Sequence, residues 1–130
     1  MTARRAIALW GPVLAVAATL FALSSSPSLP GIVHAPDKLL HGAAYALLGT
    51  LCLRAAHGGL GPPRLVPTAW TVVLCLAYAA FEEWNQSRIP GRDPSVGDWL
   101  ADGAGLAVAW LSVRLLTRRR AAGSDANGKT

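Results

Sequence analysis

The chain has 130 residues, 52% of them hydrophobic, and a formal net charge of +5, which leaves room for a single domain. The excess of base does not describe a nucleic-acid binder, because Lys and Arg flank apolar runs and form neither a basic helix nor a stacking platform. A soluble domain is excluded too, since it would intersperse charge every few residues to keep its surface wet; here the charged residues crowd into short segments between long runs almost free of them.

The first run, residues 6–23, carries no charge and follows Arg4 and Arg5. With Ser24, Ser25 and Ser26 behind it, it has the layout of a signal peptide. Three further apolar runs follow, so it is read as a first membrane span. The second run covers residues 39–53 and is broken by His41, the third covers 65–81, and the fourth covers 99–116 with Asp102 near its start and Arg114 near its end. Crossing about 30 Å of hydrocarbon takes roughly 20 helical residues, so most of these runs must borrow a turn from their polar flanks. The expected fold is all-α: a bundle of four short transmembrane helices over about 6–23, 37–54, 65–83 and 96–116, forming one domain over residues 1–117. Residues 118–130 are expected to be a disordered polar tail.

Orientation follows from Lys and Arg in the short loops. One side holds Arg4, Arg5, Arg54, Arg64, Arg114, Arg118, Arg119, Arg120 and Lys129; the other holds only Lys38, Arg88 and Arg92. This places both termini in the cytoplasm of a multi-pass membrane protein. Trp70, Trp84 and Trp99 fall where an interfacial aromatic belt would lie. Cys52 and Cys75 read as small apolar residues inside their runs.

The acids are distributed the other way. Asp37, Glu82, Glu83, Asp93, Asp98 and Asp102 fall on the outer side, and only Asp125 on the inner. Carboxylates near hydrocarbon are costly unless paired, protonated or bound to a cation. Some have local explanations. Asp37 suits the start of a helix, Asp98 stands three residues after Ser95 in a capping-box arrangement, and Asp93 before Pro94 suits a turn. Glu82 and Glu83 end the third helix, where the macrodipole opposes them; Glu82 reads as a solvated neighbour and Glu83 as the one that needs a partner. Asp102 is one turn too deep for a cap. Asp37, His41 and Tyr45 share one helix face, as do Glu83 and Gln86, and Asp98 and Asp102. The small residues Ala101, Gly105 and Ala109 on the fourth helix, with Gly42 and Ala46 on the second, form strips that permit close helix packing or self-association.

The ordered set DKLLHGAAYALLG (37–49), EEWNQSRIPGR (82–92) and DWLADGAG (98–105) resembles the VanZ-like membrane proteins over nearly the whole chain. The resemblance implies that Asp37, Lys38, His41, Tyr45, Glu83, Gln86, Arg92, Asp98 and Asp102 hold the family's signature positions, with Asp102 standing where Asn is frequent. It also implies a link to low-level teicoplanin resistance. Three functions fit these residues. The first is an outward polar pocket that binds a lipid-linked or glycopeptide ligand without catalysis. The second is an intramembrane enzyme, metal-assisted or acid–base, acting on a lipid-linked substrate. The third is a small transporter component. No cofactor is required by the residues, although His41, Asp37 and Glu83 are donor types that suit a divalent metal. The expected partners are the bilayer, the pocket's ligand and, through the small-residue strips, a second copy.

Overall fold

A computed structural model describes residues 1–26, 36–91 and 93–127, with side chains described as far as Ala122. It contains four helices: α1 (Ala3–Ser24), α2 (Asp37–Ala56), α3 (Leu65–Gln86) and α4 (Val96–Asn127). All four are long and apolar enough to cross a membrane.

The helices are longer than the apolar runs suggest. The shortest has 20 residues, about 30 Å at the standard rise, so the backbone stays helical through its polar flanks. A helix near an interface keeps its own hydrogen bonds at no cost, whereas an open carbonyl at that depth would need another partner. The same reasoning accounts for α4, which continues to Asn127; the tail expected to be disordered from residue 118 is helical over its described part.

The bundle runs up and down. Arg5 Nη2 donates to the Gly58 carbonyl at 2.8 Å, joining the start of α1 to the end of α2. Asn85 Nδ2 donates to Ser25 Oγ at 2.8 Å, joining the ends of α1 and α3. Lys38 reaches Asp98 at 3.3 Å, joining the starts of α2 and α4. One end of the bundle therefore holds the chain's N-terminus and the 57–64 loop, and the other gathers the acids.

The most extensive helix contact is between α2 and α4, made by the two small-residue strips. A Cβ placed on Gly105 would collide with the Gly42 carbonyl oxygen and come within 2.9 Å of the Ala46 nitrogen. One on Gly49 would stand 3.1 Å from the Ala109 Cβ. These two faces meet each other inside the chain. The core built around them contains Tyr45, Leu48, Cys75, Ala79 and Leu106. Large apolar residues such as Leu14, Leu74, Val108 and Leu111 remain exposed on the outside, an arrangement suited to lipid and untenable in water.

Pro12 lies inside α1 and cannot donate to the carbonyl four residues back. That carbonyl, of Ala8, accepts from Arg54 Nη1 at 3.3 Å. The loop after α2 is closed by His57. Its Nδ1 lies 2.7 Å from the Leu53 carbonyl and its Nε2 accepts the Arg64 N–H at 2.9 Å, which fixes the proton on Nδ1.

Candidate functional site

The acid-bearing end is built from the last turns of α1 and α3 and the first turns of α2 and α4. Its deepest residue is Asp102, 1% exposed, one turn inside α4. Asp102 Oδ1 lies 3.0 Å from His41 Nδ1, so the carboxylate orients the imidazole from the facing helix. Tyr45, one turn below His41 on α2, is 2% exposed and donates its hydroxyl to Glu82 Oε2 at 2.7 Å. Ser24 donates to the other oxygen of Glu82 at 3.5 Å.

The two adjacent glutamates have roles different from those their positions suggest. Glu82 is buried, 6% exposed, and holds α1, α2 and α3 together; it is not a solvated neighbour. Helical geometry turns consecutive side chains about 100° apart, and Glu82 is the one that faces Tyr45. Glu83 reaches across to α4, where its Oε2 accepts the Ser95 N–H at 2.8 Å. Ser95 caps α4, its Oγ accepting the Gly97 N–H at 3.1 Å. In a capping box the residue three positions on would take the cap's own N–H. Here a carboxylate from another helix takes it, and Asp98 is released to pair with Lys38. The position of Glu83 is thus electrostatically sensible: disfavoured at the end of α3, it is favoured at the start of α4.

The remaining site residues are distributed around this centre. Asp37 is exposed in the first turn of α2. Gln86 is buried at the end of α3. Arg92 lies outside the described residues; the turn before it is set by Gly91, whose φ of 83° suits glycine. Trp84 is exposed and carries the Arg88 guanidinium 3.6 Å above its ring, and Trp70 is exposed as a belt residue would be. Trp99 is not a belt residue in the same sense, since its indole N–H donates to the Leu76 carbonyl at 3.1 Å. Beside Glu83 a cavity of about 390 Å³ lies between α3 and α4, walled by Trp84, Pro94, Val96 and Trp99 with Ser87 and Ser95 at its polar edge.

Two sets of donors stand close enough to share an ion. The ligand atoms of His41, Glu83 and Asp102 lie within 4.8 Å of one another, and so do those of Asp37, His41 and Asp98. The donors His41, Asp37 and Glu83 therefore divide between two groups that share only the histidine. Glu82, Ser24 and Ser95 complete the site and were not singled out as functional by their spacing.

The described residues form, then, a bundle of four helices fit to cross a membrane, with a partly buried imidazole–carboxylate cluster at one end. No family model, no curated protein and no solved structure matches the chain.

Proposed function

We propose that this chain is a VanZ-like protein of the bacterial cytoplasmic membrane. Its acid-bearing end faces outward and binds the polar head of a lipid-linked envelope precursor or a glycopeptide. The observation that carries this reading is the cavity beside Glu83. It sets an apolar, tryptophan-walled space at the end of two helices beside the Glu83 carboxylate, whose Oε2 accepts the Ser95 N–H. Ligand sites commonly combine apolar walls with a few convergent polar groups, and a headgroup there could keep its tail in the bilayer. The acidic surplus favours hydroxyl, amide or ammonium groups on the ligand.

The test is mass spectrometry of lipids retained by the full chain in mild detergent. A specific envelope lipid should be retained by the wild type and lost from Glu83→Gln and Trp84→Ala that still insert. Retention of the same lipids by all three proteins would remove the reading. The resemblance adds a cellular readout, teicoplanin tolerance conferred by expression.

The His41–Asp102 pair favours a second reading, in which an oriented imidazole acts as a general base on such a ligand. Among the described residues no Ser, Thr or Cys hydroxyl or thiol is bonded to His41, so the nucleophile would be water. Turnover of a retained lipid that stops in His41→Gln would select this reading over simple binding.

A further inference from the structure

We infer that the acid-bearing end is a divalent-cation site formed by His41 of α2, Glu83 of α3 and Asp102 of α4. It uses the cluster of the preceding section but does not depend on any headgroup being bound there.

Three independent features converge. The ligand atoms of the three residues lie within 4.8 Å of one another, and they come from three different helices, so packing and not local sequence holds them together. Glu83 is half used: Oε2 accepts the Ser95 N–H, while Oε1 is enclosed and has no partner among the described residues. A carboxylate oxygen cut off from water without a donor is unfavourable, and a cation removes that cost. Among the described residues the nearby cations are committed elsewhere, Lys38 to Asp98 and Arg88 to the face of Trp84.

Charge and geometry define the ion. Two carboxylates and an unprotonated imidazole carry −2, which a divalent ion neutralises. His41 Nδ1 and Asp102 Oδ1 stand 3.0 Å apart. With bonds of about 2.1 Å, two donors at that separation subtend roughly 90° at the metal, the edge of an octahedron and narrower than a tetrahedral angle. The ion would take the place of the hydrogen bond between them. One nitrogen and two carboxylates with open positions suit Mn²⁺ or Fe²⁺ better than a closed zinc site, and the nitrogen disfavours Ca²⁺ and Mg²⁺. The second group is the poorer site, because Asp98 is held by Lys38 and Asp37 is exposed.

The test uses the purified full chain in detergent, stripped with chelator and titrated with Mn²⁺. One ion per chain is expected, with an electron spin-echo signal from a coordinated imidazole nitrogen. Glu83→Gln and Asp102→Asn should each weaken binding by at least the roughly 10–100-fold that loss of an outer-shell partner costs. His41→Gln should abolish the nitrogen signal, and Asp37→Asn should leave affinity unchanged. No stoichiometric Mn²⁺ in the wild type, or bound Mn²⁺ without nitrogen coupling, would overturn the site without needing any variant to fold. Binding lost in Asp37→Asn but kept in Glu83→Gln would also overturn it, by moving the ion to the other group. Because no lipid enters the assay, its failure leaves the headgroup reading standing, and lipid retention by a metal-free protein would fail neither.

Discussion

Tyr45 and Glu82 show how a buried polar pair can order a bundle whose helices have no hydrophobic reason to associate in lipid. Helices in hydrocarbon are held by packing and by interhelical hydrogen bonds, and the Tyr45 hydroxyl supplies one such bond at 2.7 Å to a carboxyl that also contacts Ser24. Tyr45→Phe keeps the ring and removes the donor, leaving an enclosed acceptor short of one partner. The expected loss is about 1–3 kcal/mol, read as a lower midpoint of thermal unfolding in detergent. Glu82→Gln retains an acceptor for Tyr45 and should lose less than Glu82→Ala; equal losses would mean that the bond contributes nothing. Read by position alone, Glu83 needs a partner and Glu82 is left to solvent; that misses Glu82, because which of two neighbours faces inward depends on the rotation of α3 against α2. Periodicity did align His41 with Tyr45, and it was correct that Glu83 and Asp102 need partners.

Among the elements, the α2–α4 crossing depends on the absence of side chains at Gly49 and, above all, Gly105. The strips were legible as small residues at four-residue spacing, but whether they meet each other or another copy is a tertiary fact. Gly105→Ala cannot be accommodated without moving the Gly42 carbonyl, and the resulting separation should cost about 1–3 kcal/mol. Gly103→Ala, whose Cβ would meet only Leu76 Cδ2 at an ordinary 3.7 Å, should be neutral to stabilising by up to about 1 kcal/mol, which makes it the control for helix propensity on the same element. In α1, Pro12 and Arg54 form a second separable pair. Arg54→Ala should destabilise the wild type by about 1 kcal/mol through the Ala8 carbonyl left open. In a Pro12→Ala background the helix satisfies that carbonyl itself, so the same change should cost markedly less. A double-mutant cycle with no coupling would show that Arg54 does not serve the proline. The expected starts of α2, α3 and α4 at residues 37, 65 and 96 agree with the helices, whereas all three run past their expected ends at 54, 83 and 116. Composition marks where apolar residues stop, but a helix stops where its backbone finds other partners.

At the scale of the molecule, the two ends differ in charge, and that difference predicts which way the protein would face in a membrane. Arg5 and Arg54 bind backbone carbonyls at the end that holds the N-terminus, and Arg114, Arg118, Arg119 and Arg120 lie in the second half of α4. The 32 residues of α4 extend about 48 Å, well beyond 30 Å of hydrocarbon. Its last turns must therefore leave the membrane, carrying the three consecutive arginines into the headgroup layer. Basic residues are retained on the cytoplasmic side, so the acid-bearing end is expected outside. Cysteine substitutions at Asp93, exposed before α4, and Leu60, exposed in the opposite loop, test this in whole cells with an impermeant maleimide. Cys52 and Cys75 would first be replaced by alanine. Asp93→Cys should label from outside, and Leu60→Cys only after the cells are opened. The reverse pattern would turn the cluster toward the cytoplasm. It would leave the His41–Glu83–Asp102 geometry intact but exclude an extracellular glycopeptide as its ligand.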